Sequence, residues 1–444
     1  VRLADLLHGT LYKSYSYAYP HKTAYRRLAS PVMLRDLWAA ERRDALFLYI
    51  HIPFCEMRCG FCNLFTTANP NGDLPAAYMA TLRRQAQRTA EAIGAARFAR
   101  MAIGGGTPTY LSADQLHELF DIAQLAFGVD SQAIPVSVET SPKTATLDRL
   151  HMLRERGVDR ISIGVQSFVE AEAAAVGRAQ RIADVDRALD TIRGCGFPAL
   201  NIDLIYGIPG QTVLSWLDSL RAALRYAPEE IYLYPLYVRP LTGLGRRAGA
   251  AAEEAAWDAQ RLACYRAGRD LLLAEGYAQA SMRMFRAPHA RAQSGPVYCC
   301  QSDGMVGLGC GARSYTRGLH YSSEYAVGGA GVRAILADYL GRSNESFDAA
   351  HYGIALTVED QRRRFVIQSV LQADGLNFAA YRAEFGSEAL DDLPDMYELE
   401  QLGLAVIAGS QLRLTDAGLE RSDLIGPWLY TARVQTLMEA YELR

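Results

Sequence analysis

Cys55, Cys59 and Cys62 are the residues of this sequence best placed to do chemistry. They form a CxxxCxxC pattern inside YIHIPFCEMRCGFCNLFT, residues 49–66, directly after an apolar run rich in β-formers. Three thiolates on one short loop make a soft-metal site, and an odd number suits an iron–sulfur cluster in which one iron keeps no protein ligand. That iron is open to a substrate or cofactor, so the loop suits chemistry as well as electron storage. Structural zinc is a competing reading, and it asks for a fourth protein ligand. His51 is a candidate, but the sequence does not set its direction. Cysteines buried in a core are the third reading.

Such a loop needs rigid elements to hold it. Over residues 41–240, short β-type runs alternate with longer helical patterns, which predicts βα units and a parallel sheet. The runs are 46–52, 100–104, 135–139, 160–164, 199–204 and 230–237. Between the first two, Met79, Leu82, Ala86, Ala90 and Ile93 fall on one helical stripe. Six such beats predict an α/β fold, a partial (β/α)6 barrel of the TIM type. Right-handed crossovers put every loop that follows a strand on one rim, where sites in such folds lie.

The remaining chemical groups obey that geometry. The cysteine loop follows the first strand. The second ends in GGGTPT, residues 104–109, where glycines let backbone approach a ligand and expose its amides. The third ends at Glu139, the fourth runs into GVQSF with Gln166, and the fifth carries Asp203. Arg178 follows the fourth in a helix-like stretch. Each taken alone reads equally as a tight turn or a solvated polar residue.

The stretch 49–65 resembles the signature loop of radical S-adenosylmethionine (SAM) enzymes, and within them the HemN-like branch, named for oxygen-independent coproporphyrinogen III oxidase. The resemblance covers nearly the whole chain and is specific over 49–66, 104–109, 164–168 and 201–211. It implies a [4Fe–4S] cluster on Cys55, Cys59 and Cys62, with SAM on the open iron. It implies SAM contacts by Tyr49, Phe61, Gly105, Gly106, Thr107, Glu139, Gln166, Arg178 and Asp203. Tyr49 and Phe61 would pack around the cluster and adenine. Arg178 suits a carboxylate because its planar fork binds one bidentately.

Outside 41–240 the pattern changes. Residues 1–40 form an arm with Tyr12, Tyr15, Tyr17 and Tyr19, read either as surface packing with Tyr15, Tyr17 and Tyr19 on one face or, from the resemblance, as a lid. Residues 241–345 are less regular: a helix over 253–275 precedes YCCQSDGMVGLGCGARSY, 298–315. Its end resembles the family's GxGxxA element, which closes the active site and lines a second SAM in coproporphyrinogen oxidase. Here Arg313 stands at an apolar second-SAM contact and Tyr237 at a small-residue one, so a second SAM is left open. Cys299, Cys300 and Cys310 read as pocket-lining or buried thiols, as do Cys195 and Cys264 in helical patterns. Arg283, Arg286, Arg291 and Arg313 read as a solvated surface, or else as favouring an anionic substrate. Residues 346–444 predict a separate, mostly helical, winged-helix-like domain: helices over 357–373, 378–385 and 393–402, then a hairpin of 405–407 and 412–414 about Gly409-Ser410.

Charge excludes some partners. From His351 on there are 8 Arg and no Lys against 15 Asp and Glu, a net of −7, which argues against nucleic acid. The whole chain, 444 residues long, carries −3. No long apolar stretch predicts a membrane span and no signal peptide is visible, so a reducing cytoplasm is the expected setting.

The leading expectation is a radical SAM enzyme that abstracts hydrogen from a small-molecule or peptide substrate, supplied with electrons by a donor such as flavodoxin or ferredoxin. No catalytic residue beyond the cofactor contacts is assigned. The family's namesake has a further cysteine two positions after the triad. This sequence has Leu64 there, which argues against the namesake's own reaction. Methyl or methylene transfer from a second SAM and heme delivery by a chaperone are the alternatives. The long arm weighs against the chaperone.

Overall fold

The computed structural model of the protein describes residues 2–16, 18–246, 254–291 and 300–443. Tyr17, Glu253, Tyr298 and Cys299 lie outside the described residues. The barrel strands alternate between two faces. Leu48, Ile50, Ile161, Ile163, Leu200, Ile202, Leu204, Ile231 and Leu233 are fully buried in one continuous apolar core. Their neighbours on the other face are polar or aromatic: Tyr49, Ser137, Glu139, Ser162, Asn201, Asp203, Tyr232 and Tyr234. Period-two alternation therefore packs one face and leaves the other to line a polar interior.

The six predicted strands are present as Leu46–Ile52, Phe98–Gly105, Val136–Thr140, Arg160–Gln166, Ala199–Tyr206 and Glu230–Pro235, paired in that order and all parallel. The last stops at Pro235, short of Tyr237, because proline brings no N–H to the ladder. Helices Leu74–Ile93, Ala113–Phe127, Leu147–Glu155, Ile182–Gly194 and Val213–Leu224 connect successive strands. Arg178 lies in a loop between helices Glu170–Ala175 and Ile182–Gly194, rather than on a helix.

The described part of 241–345 consists of short elements that nevertheless extend the sheet. Met305–Leu308 pairs parallel to Leu46–Ile52, as a seventh parallel strand on the other side of the first. The glycine-rich segment that follows it therefore emerges on the same rim as the cysteine loop. Antiparallel strands Arg313–Tyr315, Leu319–Ser322, Ala349–Ala355 and Arg26–Met33 extend that edge in turn. Met284–Arg286 and Ala278–Gln279 extend the other, beyond Glu230–Pro235. The sheet thus has 13 strands among the described residues and remains an open, partial barrel.

The C-terminal region has its own core. Helix Val358–Val370 begins with a capping box of Thr357 and Asp360. Phe378–Phe385 follows, and the region predicted as one helix over 393–402 is a 3-10 turn, Pro394–Met396, leading into Tyr397–Gln401. Ala405–Ala408 and Gln411–Leu414 form the hairpin, with Leu376–Asn377 beside it. Leu3, Tyr19 and Tyr25 of the arm are buried in this core. The arm is thereby anchored at the C-terminal region and at the sheet edge.

Candidate active site

The cysteine loop has little internal structure of its own. Cys62 N–H donates to the Cys59 carbonyl at 3.1 Å, and Phe54–Cys55 forms a two-residue ladder with Thr67–Ala68. Outside groups set the rest of its shape. The Arg178 guanidinium donates to Cys59 Sγ at 3.3 Å and to the Gly164 carbonyl at 2.6 Å, which ties the loop to the end of the fourth strand. Gly60 N–H donates to the Val176 carbonyl at 2.9 Å, and Leu244 N–H to the Gly60 carbonyl at 2.7 Å. Phe61 packs beside Val176, Ile205, Ile208 and Leu236. Burial pushes the Cys55 thiol up to about 12; the Thr107 hydroxyl opposes this at 3.6 Å, and Cys62 and Cys59 add to it. Burial and Cys59 likewise raise Cys62.

His51 is not a fourth ligand. Its Nε2 lies 2.9 Å from the Phe65 carbonyl, which can only accept, so Nε2 carries the proton. Nδ1 then accepts from the Tyr49 hydroxyl at 3.4 Å. Burial, reinforced by Lys22 and Arg313, holds the ring neutral with its pKa lowered to about 4. Tyr49 and His51 therefore brace one another on the inner face of the first strand.

The glycines of 104–106 open a path between the thiols and Glu139. Gly106 is confined by close approach: a Cβ there would lie 2.6 Å from the Phe54 carbonyl oxygen and 2.9 Å from Cys55 Sγ. Gly105 has φ +115°, and a Cβ there would strike the His51 ring at 2.6 Å. Its N–H donates to Glu139 Oε2 at 3.0 Å. Glu139 is exposed at the end of its strand, yet the atoms packed around its carboxyl desolvate it. Desolvation pushes its carboxyl up to about 7, against the Gly105 hydrogen bond and Arg160, and with help from Asp203.

Polar residues fill the interior below. Asp203 accepts from Asn201 at 2.8 Å and from Ser162 at 3.4 Å, and burial raises its carboxyl. Arg160 pairs with Glu230 at 2.7 Å and donates to Ser137 at 3.0 Å. Gln166 sits at φ +71°, beside an irregularity in the pairing between Gly164 and Gln166. A left-handed glutamine at a strand end is strained and fits a constrained rim position.

The arm and the C-terminal region meet above this rim. Tyr15 packs edge-on to Tyr234 at 6.2 Å, and the Arg283 guanidinium lies 3.8 Å over the Tyr15 ring. Tyr19 instead turns into the C-terminal core, where its hydroxyl donates to Asp360 at 3.0 Å. The one-face reading of the tyrosines therefore does not hold for these two. The solvated reading of Arg283 is also corrected: it is 3% exposed and donates to both oxygens of Asp423 at 2.6 Å. Met284–Arg286 pairs with the sixth barrel strand and carries Arg283 inward, where a buried guanidinium needs a carboxylate. The Tyr237 hydroxyl joins both partners. Arg291 is exposed. Arg313 lies near enough to His21 and His51 to lower both, as does Lys22, and Arg239 adds to the effect on His21. Cys264 and Cys310 are buried as expected, whereas Cys195 and Cys300 are only partly so. Leu64 is 45% exposed.

Sequence reasoning missed Tyr78, Arg283 as an interior group, Asp423 and the strand Met305–Leu308. Tyr78 OH donates to the His51 carbonyl at 2.6 Å and accepts from Cys310 N–H at 3.0 Å, pinning the glycine-rich segment to the first strand. Its only sequence signal is its place beside Met79 on the buried side of a helix.

The donor set fits a cluster better than a single ion. Among the described residues no three His, Cys, Asp or Glu side chains gather closely enough to hold one metal ion. A zinc site needs its ligands to converge on one point, whereas each thiolate of a cluster binds a different iron. The thiols share one loop, influence one another electrostatically and have Arg178 and Thr107 beside them.

Comparison with known proteins places this geometry. A model of the radical SAM superfamily matches residues 49–223, and one of the HemN C-terminal domain matches 356–420. The Escherichia coli heme chaperone HemW is 32% identical over 271 residues, 60% of this chain and 69% of that protein. The chain belongs to the HemN-like family of the radical SAM superfamily. The Escherichia coli oxygen-independent coproporphyrinogen III oxidase is 27% identical over 430 residues, 92% of each chain. The oxidase of Bradyrhizobium diazoefficiens is 38% identical, but over 42% of each. The solved structure of the Escherichia coli oxidase, HemN, superposes with a TM-score of 0.79 at 25% identity, covering 97% of this chain and 98% of that one. The superfamily implies a [4Fe–4S] cluster and SAM, and this HemN-like chain has a donor set that suits the cluster. No helix among the described residues is long and apolar enough to cross a membrane.

Proposed function

We propose that this HemN-like chain is a radical SAM enzyme that abstracts hydrogen from a small organic substrate held at the covered barrel mouth. The observation carrying this reading is the convergence of the thiol loop, Gly105, Gly106 and Glu139 on one rim, linked by the Gly105–Glu139 and Thr107–Cys55 hydrogen bonds. Cys55, Cys59 and Cys62 would hold the cluster. Tyr49, Phe61, Gly105, Gly106, Thr107, Glu139, Gln166, Arg178 and Asp203 would hold SAM. Such a cluster would supply the electron for reductive cleavage of the SAM that these residues would hold.

The chain's own residues bind, orient and exclude. The Gly105 and Gly106 positions leave space where any side chain would meet His51 or Cys55. Glu139 and Asp203 offer acceptors to an amine and to ribose hydroxyls. Tyr15, Tyr234 and the Tyr237–Arg283–Asp423 group cover the mouth and keep water from a reactive centre. Lys22, Arg239 and Arg313, clustered around His21, favour a substrate with carboxylate or phosphate groups. Tyr237 and Arg313 would also stand where the family's second SAM makes contact, and Leu64 replaces a cysteine of the namesake. These departures favour a reaction other than the namesake's decarboxylation.

Anaerobically reconstituted protein with dithionite is expected to form 5′-deoxyadenosine from SAM. Failure to do so would overturn the reading. Methyl-labelled SAM then separates the alternatives: label only in methionine means abstraction, whereas label in the product means transfer. The similarity to HemW favours a second reading, heme binding and delivery. The oxidase relative spans 92% of this chain and HemW 60%, so the arm and cover weigh toward the enzyme. Heme titration with a Soret readout tests this, and no binding is expected.

A further inference from the structure

The barrel holds the cysteine loop on one side; residues 325–327 hold the other. The Tyr325 hydroxyl donates to the carbonyl of Asn63, the residue after Cys62, at 2.6 Å. The Arg58 guanidinium, one residue before Cys59, donates to the Val327 carbonyl. Two bonds from one short segment therefore bracket the span that carries Cys59 and Cys62. That span has little hydrogen bonding of its own, so its shape depends on such outside partners.

Tyr325 is itself held by both ends of the chain. Its side chain is 7% exposed, and Ala326 and Val327 beside it are buried. The Lys22 ammonium of the arm lies 3.7 Å over its ring. The Tyr441 hydroxyl, beyond the last helix, donates to the Tyr325 carbonyl at 2.6 Å, with the two rings 6.2 Å apart. The Arg26 guanidinium in turn lies over the Tyr441 ring at 5.7 Å and donates to the Leu437 carbonyl. Arm, C-terminal tail and cysteine loop thus meet at one tyrosine.

We propose that Tyr325 is a positioning residue, through which the docked arm and C-terminal tail hold the Cys59–Cys62 half of the cysteine loop in its ligand geometry. This rests on the reading of that loop as the cluster site. A tail that loosens releases Tyr325, and the loop then loses its outer brace while the barrel side stays in place. Cys55, fixed in its ladder to Thr67–Ala68, is insulated from the change.

The test uses the full-length chain without its cluster, so that it reads the loop and not turnover. Native-state alkylation by iodoacetamide is followed at each cysteine by peptide mass spectrometry. Tyr325→Phe keeps the ring under Lys22 and removes only the donor. It is expected to speed alkylation of Cys59 and Cys62 by about fivefold, the factor one lost hydrogen bond supports. Cys55 and Cys264 keep their rates. Tyr441→Phe shifts the same two cysteines in the same direction by less. Unchanged rates at Cys59 and Cys62 in Tyr325→Phe would overturn the proposal. So would a parallel rise at Cys264, which reports general loosening. After reconstitution, Tyr325→Phe is also expected to alter the electron paramagnetic resonance spectrum of the reduced cluster on SAM addition. Reconstituted wild type that holds no iron would sink the cluster reading itself, whatever the alkylation rates show.

Discussion

The barrel rim and its cover treat charge in opposite ways. On the rim, Glu139 and Asp203 have only neutral partners in hydrogen-bond contact, and desolvation raises both carboxyls although Glu139 is exposed and Asp203 half-buried. In the cover, Asp423 meets Arg283 through both oxygens and Tyr237 besides. Acceptors left under-compensated in this way suit the cationic, hydrogen-bonding ligand proposed for the rim. A structural joint compensates them inside the protein. Substitutions on the rim should therefore damage chemistry and those in the cover should damage stability.

The sharpest break comes at the thiols. Cys55→Ala, Cys59→Ala or Cys62→Ala is expected to abolish 5′-deoxyadenosine formation and lower bound iron, while far-UV circular dichroism stays that of the wild type. Turnover persisting in any of the three would remove the rim's claim to the chemistry.

The cover should respond next. Asp423→Ala leaves the Arg283 guanidinium buried without its counter-ion, which costs about 3–5 kcal/mol of folding stability. Urea unfolding measures it. A double variant, Arg283→Met with Asp423→Leu, removes both charges and should recover most of that loss, since a buried pair gains little over apolar residues of similar volume. If the double variant is as unstable as the single, the pair is not acting as a compensated joint.

The same contrast explains what the sequence could reveal. The six barrel strands and their rim residues are local patterns: a β-rich run, then a glycine, carboxylate or amide at its end. Local patterns are legible without a fold. The strand Met305–Leu308 is four residues long, contains Gly307 and is preceded by Gly304, so it offered no period to detect. Arg283 and Asp423 are 140 positions apart. A sequence displays a charge but not its partner, so Arg283 read as solvated. Tyr325 was illegible for the same reason, since it is held by groups from residues 22, 63 and 441.

Gly106→Ala separates rim geometry from rim charge. Its added methyl must displace the Phe54 carbonyl or Cys55 Sγ, and forced crowding of this kind costs about 1–3 kcal/mol. Because the crowded atoms include a thiol, iron incorporation should fall more than stability does. Equal iron content in variant and wild type would show that the loop can give way.

The smallest expected effect tests the rim's under-compensated carboxyl directly. Glu139 has its pKa raised from 4.5 to about 7 in the folded protein. Between those values the folded chain binds more protons than the unfolded chain, so its contribution to stability declines as pH rises. The contribution is fully present below about pH 4.5 and is lost as pH passes about 7. The groups facing the carboxyl are Gly105 N–H and Arg160, which lower its pKa, and Asp203, which raises it. Glu139→Gln keeps a side chain of similar size and removes the titration. Its stability relative to wild type, from urea midpoints across this range, should therefore improve steadily toward neutral pH and then level off. A difference that stays constant across the range would mean that the carboxyl is solvated like an ordinary surface group. The rim would then hold no poised acceptor, and its distinction from the compensated cover would rest on the thiols alone.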